Sequence, residues 1–538
     1  MSKRSRARAS RETRAIPSKW LHPLAVASLL VLFSVLYVAT LHPGVAEGDS
    51  AELQWAGPEW AICHSPGYAI EVAALHLFTA LPLGGTAAWR ANLMLAVLGI
   101  TGVLLLYGTV RRVTDNVLAG WVAAATLGLT TVYWTFSLVT EAYVFGGAFI
   151  ALSMYSAARF EGGARLRWFL LSALSLGVVI TERPSELTLL PAFLILWLGA
   201  GGREILRPRK VLAAAFALLL PFGVAVALNV AKDNPEREVA QNDFVRTQIP
   251  GVDLSGEVTY PYTTDRDLLP RVLAAVNHMS GRKWAWRVRP VNIGLNFKEF
   301  MWLVSGLGAW GNRFAPAGQH DPMLEGGMSL GPIGLLAALV GALAWRRRRV
   351  WVLHALALAA GNLVFVLLYG AFDTMTFTVP AWIALAFLAG LGCDALQAGA
   401  KTPALRRLAG GAAILLIPVI LLSVNYRYVS LRTAGDRHLV EWRQGILQCD
   451  WPRNSVLLMT YWPAMTFRYM LEVEAGRRDI LIVHAESKSL DTAARYFEAL
   501  GRPVFGMGNQ FRLTGDMRRN AVRTPEAIRK TGMLYLGG

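Results

Sequence analysis

Long apolar runs recur along this chain, and no other feature constrains its fold as strongly. The first, LAVASLLVLFSVLYVAT, ends at Thr40. About 20 apolar residues cross the hydrocarbon core of a bilayer. Runs of that order predict eleven spans, at 21–41, 88–110, 117–136, 141–158, 168–181, 185–200, 210–230, 329–345, 350–371, 376–396 and 408–425. Charged residues make up only 17% of the 538, against about 25% in soluble domains.

The formal charge of +17 does not point to nucleic acid, because the basic residues form no single stripe. They sit in short clusters between apolar runs: KRSRARASRETR, Arg111 with Arg112, Arg165 with Arg167, REILRPRK, the RRRR at 346–349, and Lys401 with Arg406 and Arg407. Lys and Arg mark cytoplasmic loops. All six clusters fall on one side if GYAIEVAALHLFTALPL (67–83) lies in the interface as an amphipathic helix rather than crossing. Glu71 and His76 within it argue the same way. The N-terminus is then cytoplasmic and the C-terminus outside. The first apolar run is too long for a signal-peptide core and is expected to remain as a helix.

This parity divides the chain into a basic cytoplasmic tail (1–20), a transmembrane module (21–231) with its first outer loop at 42–87, an outer loop with interfacial helices (232–328), further transmembrane helices (329–425) and a small outer domain (426–538). The last reads as alternating strand and helix, with strands in NSVLLMTY, RDILIVHA and PVFGM, hence a small parallel α/β unit. No glycine-rich phosphate loop opens its helices. One cluster, GRKWAWRVRP at 281–290, breaks the charge rule by lying on the outer side. The fold class expected is therefore an all-α polytopic bundle with a small C-terminal α/β unit. Three cysteines, Cys63, Cys393 and Cys449, make no disulfide framework or zinc spacing.

The outer side collects ionisable groups. Asp49, Glu52, Glu59 and His64 follow the first run directly, and Glu141, Glu182 and Asp373 stand at later outer ends. Asp49 and Glu52 share one face if a helix starts near Ser50, and an ionised carboxylate there can act as a general base. The same spacing also suits a helix cap with Glu52 in the capping-box position. His64, in HSPGY, can serve a phosphate oxygen or anchor the interface beside Tyr68. His42, Asp49, Glu52 and His64 match no metal-ligand spacing, so no metal or cofactor is expected. A transporter or an envelope scaffold stays open on these grounds, although transporters place charges near the midplane and carry repeats, and none is detectable here.

The pattern Asp–x–x–Glu, then CHSPGY, HLFTALP and RANL, resembles the opening of a bacterial family similar to the transmembrane protein O-mannosyltransferases. The matching residues are Asp49, Glu52, His64, Pro66, Gly67, Tyr68, His76, Arg90 and Asn92. TVYWTFSLVTEAYVF resembles a later segment and maps Glu141. The chain departs from the family in CHSPGYA, where AHPPGYP is usual, in Ala51 for Gly, and in TYWPAMT for an acidic run. The resemblance implies a GT-C fold, the type with its catalytic Asp in the first outer loop. It also implies a sugar donor on a polyprenyl phosphate and a hydroxyl acceptor on protein, glycan or lipid. The setting would be the outer face of a bacterial inner membrane. Asp49 would be the base and Glu52 its partner. Arg90, His64 and Arg183 would hold the donor phosphate, and Glu141, Tyr68, Asn92 and Trp55 would line the substrate cavity.

Overall fold

The computed structural model describes residues 18–160, 166–232, 267–305, 327–346, 348–371, 374–429, 437–484, 487–510 and 515–537. Each of the eleven apolar runs lies in helix. The helices begin with Ser18–Thr40, Ala87–Thr114, Val117–Leu129, Ala142–Phe160, Leu166–Glu182, Leu190–Gly201 and Pro208–Lys232. They end with Gly331–Leu343, Arg349–Leu368, Val379–Gly399 and Pro403–Val429. Seven helical stretches among the described residues are long and apolar enough to cross a membrane by length and composition. The chain is a multi-pass membrane protein. Asp373, and the acidic positions Asp233, Asp243, Asp253, Glu257 and Asp265 of the long loop, fall outside the described residues.

Local chemistry sets the helix ends. Thr86 accepts from the Trp89 amide to start Ala87–Thr114, and Asp115, in left-handed backbone, ends it with Arg111 and Arg112 in the last turn. Cations at that end suit the helix dipole. Asn116 caps the next helix through the Leu118 and Ala119 amides. The expected span 117–136 is two helices, because Thr130 ends the first in extended backbone and caps Thr131–Phe136. Deep in the bundle, Gly331–Leu343 and Val379–Gly399 run backbone to backbone. A Cβ on Gly392 would lie 1.9 Å from the Ala337 carbonyl oxygen.

The 67–83 stretch contains a helix of 11 residues, Ala69–Thr79. At 1.5 Å per residue it spans about 16 Å, roughly half a bilayer core. It packs beside Gly48–Glu59, the first-loop helix. The long loop returns to the same place. The His278 ring, through Nε2, meets the Cys63 carbonyl at 2.9 Å, Ser65 Oγ donates to the His278 carbonyl at 2.6 Å, and Trp284 Nε1 donates to the Ser65 carbonyl at 2.9 Å.

The C-terminal unit carries a four-stranded sheet in the order β2 (Leu481–His484), β1 (Val456–Met459), β3 (Val504–Met507), β4 (Met533–Gly537). The first three are parallel, and β4 joins β3 antiparallel, an edge strand beyond the three legible in the sequence. The unit docks on the first loop. Trp55 Nε1 donates to Glu472 Oε2 at 2.7 Å, Arg478 grips both Glu59 oxygens at 2.8 Å, and Thr466 Oγ1 donates to the Ala46 carbonyl at 3.0 Å. The first and last bundle helices therefore end on one side. All three cysteines are buried and free.

Candidate functional site

Gly48 opens the first-loop helix with φ +57°, and a Cβ there would meet the Trp462 ring at 3.1 Å. Glycine thus allows both the turn and the close approach of the C-terminal unit. The N-cap is Glu47, with no side-chain capping bond. The cap reading of Asp49, Ser50 and Glu52 is thereby overturned. Ser50 donates its hydroxyl to Glu141 Oε1, and Glu52 turns toward His64. Among the described residues, Asp49, Glu52 and His64 form one cluster.

Glu52 is buried and uses both oxygens on one residue: Oε1 accepts the His64 amide at 3.0 Å, and Oε2 accepts from His64 Nδ1. That fixes the ring with Nε2 facing Asp49 Oδ2 at 3.6 Å. The fourth member comes from the C-terminal unit. The Tyr461 hydroxyl lies 2.9 Å from Asp49 Oδ1, 3.0 Å from Glu52 Oε2 and 3.4 Å from His64 Nδ1. It opens the helix after β1, at the carboxyl edge of the parallel strands, where open α/β sheets place their ligands. His484, ending β2, stacks edge-on against it at 5.5 Å.

Burial pushes the Glu52 carboxyl up, but the His64 charge and the hydrogen bonds from His64 and Tyr461 outweigh it, leaving the group below the ordinary carboxylate value. Burial, then the Asp49 and Glu52 charges, raise Tyr461 well above the usual phenol, so it remains a donor. Asp49 is the open member, with a side chain 40% exposed against 9% for Glu52 and 10% for His64. A base that must meet an acceptor has to be reachable, and two buried partners fix its direction.

The ligand atoms of this trio lie within 4.8 Å of one another. Glu52 faces His64 with both oxygens, while Asp49 Oδ2 and His64 Nε2 face each other. His42 stands apart. Its ring meets the Gly44 carbonyl at 2.8 Å, and burial holds its pKa down to about 4.

The other candidates divide. Glu141 holds Ser50, next to Asp49, and Tyr68 packs edge-on against His64 at 5.4 Å. Both stay with the site. Asn92 and Trp55 do not line a cavity. Asn92 is fully buried, accepting from Gln54 Nε2 at 2.7 Å and from Thr140 N and Oγ1 at 3.0 and 2.8 Å, and donating to the His42 and Gly44 carbonyls. Trp55 is buried between Glu472 and the Arg468 guanidinium, 4.8 Å over its ring. Arg90 is a loop clamp, donating to the Thr79, Gly84 and Gly85 carbonyls at 2.7, 3.2 and 2.8 Å. Arg183 is buried, paired with Glu186 at 3.1 Å and sandwiched by the Tyr143 and Phe377 rings. Of the three expected phosphate ligands, only His64 is in the cluster.

Two acids read from the sequence only by their side of the membrane, Glu182 and Glu71, are buried beside the site. Glu182 accepts the Ile70 and Glu71 amides at 3.0 and 3.2 Å, its carboxyl group seated on the first N–H groups of the Ala69–Thr79 helix. Glu71 is fully buried, and neither carboxyl oxygen has a hydrogen-bond partner among the described residues. Burial, then the Glu182 and Glu141 charges, raise its pKa well above normal, so it is held neutral. Tyr461 escaped the sequence reading, since no local pattern joins residues 412 apart in sequence.

A helical membrane bundle, a carboxylate–imidazole site in its first loop and a small α/β unit over that site define a GT-C-like fold. Residues 49–201 match the model for the N-terminal domain of the protein O-mannosyl-transferase TMEM260. Over 136 residues the chain is 31% identical to the mouse protein O-mannosyl-transferase TMEM260, covering 25% of this chain and 19% of that protein. Over 142 residues it is 24% identical to the Dictyostelium discoideum protein of that name, covering 26% and 17%. The chain thus spans under a fifth of these relatives' length. The crystal structure of the apo oligosaccharyltransferase from Archaeoglobus fulgidus has a similar fold, with a TM-score of 0.50 at 11% identity over 94% of this chain and 71% of that one.

Proposed function

We propose that the protein is a membrane glycosyltransferase that moves a sugar from a polyprenyl-phosphate donor to an acceptor hydroxyl, with inversion, on the extracytoplasmic face of a bacterial inner membrane. The observation that carries this reading is the half-exposed Asp49 carboxylate, oriented by Tyr461 and His64 inside the segment that matches the O-mannosyl-transferase domain. The fold likeness and the six cytoplasmic charge clusters support the side assigned to it.

The chemistry is a single displacement. The acceptor oxygen forms a bond to the anomeric carbon while Asp49 takes its proton. The bond from that carbon to the phosphate oxygen breaks on the opposite face, and polyprenyl phosphate leaves with the electron pair. Glu52 keeps His64 oriented, and Tyr461 at 2.9 Å and His64 Nε2 at 3.6 Å hold the Asp49 carboxylate in place to take that proton. Acceptors are a hydroxyl on protein, glycan or lipid, and mannose is the sugar that the matched domain suggests. No metal is needed in this scheme, since a monophosphate leaving group can be met by cationic side chains.

The test is incubation of purified protein in liposomes with a panel of radiolabelled polyprenyl-phosphate sugars and a hydroxyl-bearing acceptor. One donor is expected to give labelled product of inverted anomeric configuration. Release of label to no acceptor from any donor, or a product of retained configuration, contradicts the reading.

A further inference from the structure

Tyr461 and Trp462 open the helix Tyr461–Arg468 together, and the Asp49 cluster uses only the first of them. We infer that Trp462 is the floor of the acceptor subsite and that the acceptor it fits is a saccharide, whose pyranose ring stacks on the indole with a hydroxyl turned to Asp49. The inference rests on the proposed function and narrows its acceptor from a hydroxyl on protein, glycan or lipid to the hydroxyl of a sugar.

Position comes first. The two aromatic side chains straddle the first turn of the helix Gly48–Glu59. The Tyr461 hydroxyl lies 2.9 Å from Asp49 Oδ1, and a Cβ on Gly48 would meet the six-membered ring of Trp462 at 3.1 Å. The indole is thereby seated one residue from the base. Trp462 is 44% exposed, close to the 40% of the Asp49 side chain, whereas Tyr461, Glu52 and His64 are buried. The other indoles near the cluster are engaged. Trp55 is buried against Glu472 and Arg468, Trp284 donates to the Ser65 carbonyl, and Trp60 packs on the His76 ring at 4.8 Å under the Lys232 ammonium.

The sheet comes second. Open α/β sheets take ligands outside the carboxyl ends of their parallel strands. Between β1 and β3 that edge is closed, since Gln510 Oε1 accepts the Thr460 amide at 2.7 Å and Gln510 Nε2 donates to Thr460 Oγ1 at 2.8 Å. The helix Tyr461–Arg468 packs over β1 and β2, so Trp462 stands on the side left open. Chemistry then selects the ligand. The C–H groups on one face of a pyranose carry slight positive charge and meet the negative face of an indole, while the hydroxyls around its rim stay in water or reach a polar group such as Asp49. An extended peptide acceptor is held instead by pairing with a strand edge. The outer edge of β2 is closed to that mode. Leu481 N donates to the Ser455 carbonyl at 2.9 Å, so the polar groups of Ile482 point away from β1, and Arg468 Nη2 already donates to the Ile482 carbonyl at 3.0 Å. All four β2 residues are buried.

The test is transfer by the full chain in liposomes, from the polyprenyl-phosphate sugar that the donor panel selects, to mannobiose, maltose or chitobiose and in parallel to a Ser/Thr-rich peptide. Wild type is expected to extend at least one of the saccharides. Loss of the stacking face predicts a KM for that saccharide raised about tenfold in W462A, with the donor KM and the melting temperature unchanged. W462F keeps a smaller ring and is expected to recover part of the loss. An unchanged saccharide KM in W462A overturns the subsite. A lowered melting temperature in W462A, with both KM values moved together, also overturns it, since the ring would then only hold the C-terminal unit on the first loop. Product on the peptide with none on any saccharide overturns the inference and leaves the transferase reading standing. Product on no acceptor from any donor removes that reading and the inference with it, so the two failures are distinguishable.

Discussion

At the scale of single residues, the site is a base with three supports. Tyr461→Phe keeps the ring on His484 and removes only the hydroxyl shared by Asp49 and Glu52. A hydrogen bond to a charged group is worth about 1.5–3 kcal/mol, so transfer is expected to slow by roughly tenfold or more in kcat, with the donor KM little changed. An unchanged kcat would reduce Tyr461 to packing. Glu52→Gln tests the other support. The Glu52 carboxyl is depressed in the folded protein, so its stabilisation is present above the ordinary value near 4.5 and is lost as pH falls through the folded value. Wild type should therefore melt above the variant at neutral pH, and the two melting curves should converge as the solution is made more acidic than that ordinary value. A gap that persists in acid would place the stabilisation elsewhere. Asp49, Glu52 and His64 were legible from one short motif because all three lie within sixteen consecutive residues. Tyr461 was not, since only folding brings β1 to the first loop.

At the scale of elements, apolar length was readable and partners were not. Hydropathy is a local property, so each expected span is found in helix, and an 11-residue helix confirms that 67–83 contains no helix of crossing length. The break at Thr130 was hidden because its cap is a single threonine inside an apolar run. The resemblance places Asn92, in its R-x-N-L motif, at a substrate cavity, and Trp55 is an aromatic beside the acid pair that could line the same groove. Their partners, Thr140 and Glu472, lie in distant elements and make them joints instead. Asn92→Ala should leave Gln54 and the Thr140 amide without a shared acceptor. Each orphaned group costs about 1–3 kcal/mol, so a clear drop in melting temperature in detergent is expected. A raised donor KM with unaltered melting would restore the cavity role.

At the scale of the whole molecule, the first loop, the returning loop and the C-terminal unit meet at one end of the bundle, while Arg112 stands at the far end of its helix. All native cysteines are buried, which gives a quiet background for labelling. In intact cells a membrane-impermeant maleimide is expected to label Val522→Cys, on an exposed part of the C-terminal unit, and to spare Arg112→Cys until the membrane is permeabilised. Labelling of Arg112→Cys from outside would invert the charge-based orientation and remove the site from the outer face.

The most direct measurement is transfer by Asp49→Asn. A general base contributes about 10²–10⁴ in rate. The variant is expected to insert, melt and bind polyprenyl phosphate as wild type does, while kcat/KM for sugar transfer falls by at least about a hundredfold. Transfer at the wild-type rate by the folded variant would contradict the account.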